Sequence, residues 1–261
     1  MADRVLTRYD EVLAALKEPR LVQTGEAGPI DEGEQKRKRA EMLAALPAAR
    51  VDAWRMAILP LALQVLDGLP EDRPVDLVGE FVRPWCAAIA PVIMEAPLKA
   101  LQTSLTDTLP AFLASALLAM LESKGSLEAT PRTVEELLRH AGTVHTLLRT
   151  AKEDVKIGGA SIEAGERIVL KVAEANHDES RFAEPDKLDP GRREGGHLAL
   201  GAGEHACAGA VVVRMATAVM LEALSSRLAG GEVAGPVEWY QGATKRWPKK
   251  LPALLRRLPS P

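Results

Sequence analysis

One cysteine sits inside a glycine-rich run, Leu200-Gly201-Ala202-Gly203-Glu204-His205-Ala206-Cys207-Ala208-Gly209, and an apolar, helix-compatible stretch from Ala210 to Leu228 follows at once. No other feature constrains the chain as much. Glycines let a backbone pass close to a flat bound object and take positive φ where a turn needs it. A helix starting just after the loop aims free N–H groups and a partial positive charge at the sulfur. Both effects favour thiolate over thiol. A thiolate so placed suits the axial position of a haem iron, where it pushes electron density toward O–O cleavage. The alternative is that Cys207 is a small buried hydrophobe, the usual fate of a lone cysteine.

The loop resembles the haem-binding signature of the cytochromes P450, an aromatic-led Gly-x-Gly-x-His/Arg-x-Cys-x-Gly run that carries the proximal thiolate. Leu200 stands where that signature has phenylalanine. Leucine keeps the packing beside the sulfur and shifts the redox potential, which neighbouring groups set. The resemblance continues upstream in family order. Glu136-Leu137-Leu138-Arg139 resembles the Glu-x-x-Arg motif, and residues three apart share a helix face. The run Arg181 to Arg192 resembles the meander whose arginine joins that pair, which assigns Arg192 as third member of a structural core. Alone, Glu-x-x-Arg also fits an exposed helical ion pair worth little.

The resemblance implies haem b (iron protoporphyrin IX) as cofactor, with Cys207 as iron ligand. It implies a cofactor-binding set of Leu200, Gly201, Gly203 and Gly209 from the loop, with Arg39, Arg149 and His205 on the propionates. Arginine suits carboxylates through its planar fork. Gln35 stands in the family's histidine place, so one propionate contact is altered or lost. On the distal side, Asp107-Thr108 resembles the acid–alcohol pair that relays protons to the reacting oxygen, since a hydroxyl both donates and accepts. Two departures occur. Ser104-Leu105 replaces the family's small pair, and Pro110 removes a backbone bond where the helix should run on. The alternative is that Asp107 to Pro110 is simply a helix start, capped and followed by proline.

The pattern is mainly helical, with a small β portion. Helical spacing covers Tyr9–Leu16, Glu34–Leu46, Val51–Leu66, Asp76–Met94, Leu98–Ser123, Thr133–Leu148 and Ala208–Leu228. Pro84 and Pro91 should break or kink the fourth of these. Strands are expected at Val155–Ile162, Arg167–Val172 and within Val237–Trp247, and Leu21–Gly33 reads as loop. The expected architecture is one domain over residues 1–261. It is a reduced P450-like fold without the family's N-terminal strands and distal roof helices. The parts expected to be missing cluster over the distal face.

With 261 residues, 47% of them hydrophobic, the chain can bury a sizeable core. A formal net charge of −3 favours neither nucleic acid nor an anionic membrane as partner. Two cysteines, Cys86 and Cys207, imply no disulfide framework, and Cys86 is expected to fill core. No uninterrupted apolar run of spanning length is evident, so the expectation is a cytoplasmic protein. The expected function is a haem-thiolate oxidoreductase, a monooxygenase or peroxygenase acting on a small-molecule or carrier-bound substrate in specialised metabolism. Its electrons would come from a ferredoxin-like donor meeting Arg192, Arg193 and Arg214, or peroxide would replace them. A homodimer would cover an unroofed apolar face. The alternatives are a haem protein with a non-monooxygenase reaction (peroxidase, dehydratase or cyclase), and a haem sensor or partner subunit.

Overall fold

The computed structural model describes residues 3–25, 28–29, 31–94, 102, 104–123 and 128–259. In chain order the elements are β1 (Arg4–Leu6), α1 (Tyr9–Lys17), β2 (Leu21–Gly25), β3 (Gly28–Pro29), α2 (Glu32–Ala44), α3 (Ala48–Asp67) and β4 (Val75–Asp76). A π-helical turn, Leu77–Val82, leads into α4 (Arg83–Ile93). A second one, Ser104–Thr108, leads into α5 (Leu109–Ser123). Then come α6 (Pro131–Ala141), β5 (Thr146–Ala151), β6 (Val155–Ile157), β7 (Ala160–Ile162), β8 (Arg167–Lys171) and the short α7 (Val172–Asn176). The Cys207 loop precedes α8 (Ala210–Arg227), which is followed by β9 (Leu228–Val233), β10 (Glu238–Gln241), β11 (Arg246–Lys250) and β12 (Pro252–Arg257).

Helical packing forms the larger core, with Ile58, Leu66, Trp85, Leu113, Leu137 and Met220 fully buried. α6 shows how local sequence builds it. Thr130 caps the helix by accepting from the Thr133 N–H at 3.2 Å, and Pro131 opens the first turn, where its missing donor costs nothing. Val134, Leu137 and Leu138 then recur on one buried face. Cys86 packs in this core, and burial pushes its thiol up to about 12. The second core lies under the five-stranded sheet, ordered β1-β8-β5-β2-β3, where Val12, Ile168, Leu170 and Phe182 are buried. β1 runs parallel to β8, with Arg4 beside Ile168, whereas β5 is antiparallel to both β8 and β2. The β2–β5 register sets Gln23 opposite Arg149.

Several elements differ from the sequence pattern. β1, β2 and β5 are strands that periodicity did not single out. β2 borders the acidic, glycine-rich stretch, and β5 continues the apolar spacing of α6 beyond Gly142, so length alone separates helix from strand there. Pro84 sits in the first turn of α4, where proline is tolerated, and Pro91 lies near its end. The second π turn and α5 join as one 20-residue helix, Ser104–Ser123, apolar and long enough by composition to cross a membrane. It is not an uninterrupted apolar run, since Asp107 and Glu122 fall within it. Ten of the α5 residues are buried in the protein, which accounts for the apolar composition. The expected absence of roof helices falls partly on residues 95–101 and 103, outside the described residues.

Candidate functional site

Cys207 opens into a cavity of about 290 Å³ at the seam between the helical core and the five-stranded sheet. The loop that presents it is held by its own backbone. The Cys207 N–H donates to the Leu200 carbonyl at 2.7 Å, and the Gly201 N–H donates to that of Leu198 at 2.8 Å. Gly201 and Gly203 both take φ of +70°, a conformation that favours glycine. Leu200, Gly201, His205 and Gly209 line the cavity with the sulfur. Gly203 does not, which corrects its place in the expected cofactor set. A Cβ there would lie 2.7 Å from the Leu16 carbonyl oxygen, so this glycine lets the loop pass against the end of α1.

The protonation state of the sulfur also departs from expectation. Burial pushes the Cys207 thiol up; the Gly209 N–H and the charges of Arg39 and Arg214 pull it down, and burial wins. The helix terminus alone therefore does not hold a thiolate. A metal ion would, because coordination deprotonates a thiol outright.

Arg149 reaches the same cavity from β5. It is 1% exposed, donates from Nη1 to the Leu148 carbonyl at 2.9 Å, and its buried Nε has no partner. Burial draws its pKa down to about 10. A buried guanidinium with an unspent donor, beside a cysteine in one cavity, fits a group bearing both a metal and carboxylates. Arg39, on α2, instead donates to the Ala206 carbonyl beside Cys207 and is not among the lining residues. Its charge steadies the loop, helped by the Lys36–Glu204 ion pair at 3.1 Å. Gln35 donates to Gln23 Oε1, leaving its own Oε1 buried without a partner.

The opposite wall comes from the second π turn and α5. Ser104, Leu105, Thr108, Leu109 and Phe112 face the cavity. Their spacing is that of one helix face. Asp107 is exposed and lies outside the cavity. Of the expected acid–alcohol pair only Thr108 reaches the cavity, because consecutive residues on a helix do not share a face. Thr108 has a different polar neighbour, the Lys245 ammonium, whose Nζ lies 3.4 Å from its Oγ1. Pro110 falls in the first turn of α5, where its lost bond is absorbed by the π turn. Helix spacing from Thr108 would have found Phe112. No local signal marks Gln23 or Lys245, which reach the site through strand register and a distant loop.

Below the loop, Glu136 is 4% exposed and Arg139 2% exposed. Arg139 pairs with both Glu136 oxygens at 2.8 Å, and Arg192 Nε meets Glu136 Oε1 at 3.2 Å. Burial pushes the Glu136 carboxyl up, but bonds from Arg139, the Asp189 N–H and Arg192 outweigh it and leave it below its ordinary value. Arg139 also donates to the Asn176 carbonyl at 2.8 Å, and Asn176 Oδ1 accepts from the Leu198 N–H at 2.7 Å. The ion cluster thus grips the entry to the cysteine loop through one asparagine. Of the three arginines assigned to an electron donor, Arg192 is spent on Glu136, and Arg214 is paired with Glu135 at 2.6 Å. Arg193 is exposed.

Residues 118–227 match the family model "Cytochrome P450". Nocardicin C N-oxygenase from Nocardia uniformis subsp. tsuyamanensis is 42% identical over 130 residues, 48% of this chain and 33% of that protein. Mycinamicin IV hydroxylase/epoxidase from Micromonospora griseorubida is 36% identical over 132 residues, 49% of this chain and 33% of that protein. The chain spans about a third of the length of the curated relatives it matches. The crystal structure of the LnmA cytochrome P450 hydroxylase from the leinamycin biosynthetic pathway of Streptomyces atroolivaceus S-140 superimposes with a TM-score of 0.82 at 26% identity, covering 95% of this chain and 89% of that one. With a mainly helical fold of this topology, a glycine-loop cysteine and the buried Glu136–Arg139–Arg192 cluster, the chain is similar to the cytochromes P450, whose family model it matches over residues 118–227.

Proposed function

We propose that the chain binds haem b through Cys207 and acts as a haem-thiolate oxidoreductase, a monooxygenase or peroxygenase on a small-molecule or carrier-bound substrate in specialised metabolism. One observation carries the reading: the Cys207 sulfur and the incompletely bonded Arg149 guanidinium line the same cavity. Relatives named as an N-oxygenase and as a hydroxylase/epoxidase support the reaction class, and their bacterial sources fit a cytoplasmic setting.

When bound, the haem supplies an iron centre whose thiolate ligand promotes O–O cleavage. The chain's residues do the rest. Cys207 gives up its proton to become the ligand. Arg149 and His205 hold the carboxylates, and Arg39 keeps the loop in place through the Ala206 carbonyl. Leu105, Leu109 and Phe112 keep water from the facing wall. Thr108 holds a hydroxyl proton on that wall, with Lys245 beside it as the group able to replenish it. A ferredoxin-like donor would approach the side carrying exposed Arg193.

One observation favours a second reading, a haem protein that catalyses a peroxidase, dehydratase or cyclase reaction. Asp107 does not reach the cavity, so the carboxylate of the usual pair is missing from the wall where Thr108 stands. The deciding experiment is the absorption spectrum of the haem-loaded, reduced, CO-bound protein beside that of Cys207→Ala. The proposal expects a strongly red-shifted Soret band that disappears in the variant. Haem uptake with a spectrum indifferent to Cys207 overturns it. With thiolate ligation established, loss of turnover in Thr108→Val supports oxygenation, and unchanged turnover supports the second reading.

A further inference from the structure

A second cavity, of about 250 Å³, lies across the α6–β5 connection from Cys207, and Gly142 lines both. Three of the five histidines in the chain meet in its wall. His140 comes from the end of α6, His145 from just before β5 and His177 from just after α7. β10 and β11 add Trp239 and Arg246. Nothing in the haem site uses these five side chains.

Donors dominate this cavity. The Arg246 guanidinium lies over the Trp239 ring, 3.6 Å from its centroid. Such stacking fixes the plane of the fork and leaves its N–H groups unspent. Among the described residues its side chain makes no hydrogen bond or ion pair. His140 Nδ1 is buried with no partner. A buried unpaired N–H costs more than an unpaired lone pair, so the proton belongs on Nε2, the ring's remaining donor. His177 Nδ1 donates to the Ala173 carbonyl at 3.0 Å, since that carbonyl only accepts.

The charges around the histidines are unbalanced. Facing His140 are His177, Arg139, Glu136 and Asp186; facing His145 are Arg246, His177 and Lys171. Glu136 is consumed by Arg139, Arg192 and the Asp189 N–H. Glu122, on the cavity wall, is exposed to solvent. Burial, His177 and Arg139 hold the His140 ring below its ordinary pKa; burial, Arg246 and His177 do the same for His145. Among the described residues no three His, Cys, Asp or Glu side chains converge to hold a metal ion. The opposite wall is apolar, with Leu118, Ala119 and Ala173.

We propose that this cavity binds a small carboxylic acid with an apolar body, its carboxylate held by Arg246 and His140 and its body against Leu118 and Ala119. The planar fork of Arg246 matches a carboxylate. The apolar wall selects against a bare inorganic anion.

Benzoate is the probe, titrated into the protein as purified, with and without haem, its histidines isotope-labelled for imidazole NMR. The expected result is saturable shifts of His140, His145 and His177, with His197 and His205 unmoved. Arg246→Gln should weaken binding about tenfold or more, the loss of a charge-assisted bond, while its thermal unfolding stays cooperative. Inorganic phosphate at equal concentration should not displace benzoate. Absence of binding overturns the proposal, as do shifts confined to His205, affinity unchanged in Arg246→Gln, or displacement by phosphate. The readout does not depend on turnover or on Cys207 ligation, so it stands or falls apart from the oxidoreductase reading.

Discussion

Arg149 carries a full charge into the interior with one nitrogen unbonded, and burial draws its pKa down to about 10. Such a group stabilises nothing until a carboxylate arrives, because an uncompensated buried charge is costly. Arg149→Met should therefore make the haem-free protein more stable, by about 1 kcal/mol or more, while weakening haem uptake at least about tenfold. Urea unfolding without haem and haem titration measure the two effects. Lower stability with unchanged uptake would sink the assignment. Arg149 was legible in the sequence through its place in family order. Its neighbour Gln23 was not, since it stands opposite Arg149 by strand register alone.

Two glycines of the cysteine loop look alike in sequence, but only Gly203 packs against α1. Gly201 and Gly203 share a φ of +70°, but their surroundings differ. A Cβ at Gly201 meets nothing nearer than 3.6 Å, whereas at Gly203 it meets the Leu16 carbonyl oxygen at 2.7 Å. Gly201→Ala should cost about 1 kcal/mol, the penalty of a left-handed backbone. Gly203→Ala should cost clearly more, since backbone must also move. Chemical denaturation of the pair checks the ranking, and equal costs would contradict it. This element also shows where sequence reading stops. The loop, α6 and α8 were legible because capping residues and helical periodicity mark them. β2 and β5 were not, because their short apolar runs fit either period. The π turn before α5 was hidden as well. Proline announced a disturbance at Pro110, but not that an unwound turn would leave Asp107 in solvent and Thr108 on the cavity wall.

At the scale of the molecule, the Glu136–Arg139 pair is the point where α6, α7 and the segment running to Arg192 are tied together, Arg139 reaching α7 and Glu136 the segment. Its carboxyl titrates below 4.5 in the folded protein, and that of Glu135 falls to about 2. Groups with a lowered folded pKa stabilise fully above their unfolded value and lose that contribution as pH falls through the folded one. The thermal midpoint should thus drop between about pH 4.5 and pH 2. Glu136→Gln should flatten the drop, and Glu136→Ala should cost about 3–5 kcal/mol at neutral pH by stranding two buried guanidinium groups. Calorimetry across that range tests both, and a pH profile identical in Glu136→Gln would refute the linkage. The order of the motifs made this hub readable; its bond to the cysteine loop through Asn176 was not, because an asparagine carbonyl carries no signature.

The pairing of β1 with β8 sets a timetable. Arg4 lies beside Ile168, so β1 has no neighbour until the chain has grown by some 160 further residues, roughly ten to thirty seconds at ordinary rates of synthesis. For that interval β1 and β2 present open strand edges, the kind that other chains can pair with. Cys207 emerges later still. The wall that carries Arg149 closes only shortly before the cysteine loop is made, so a nascent chain with the proposed haem site would complete that site late, and the interval before is when it is most exposed to mispairing.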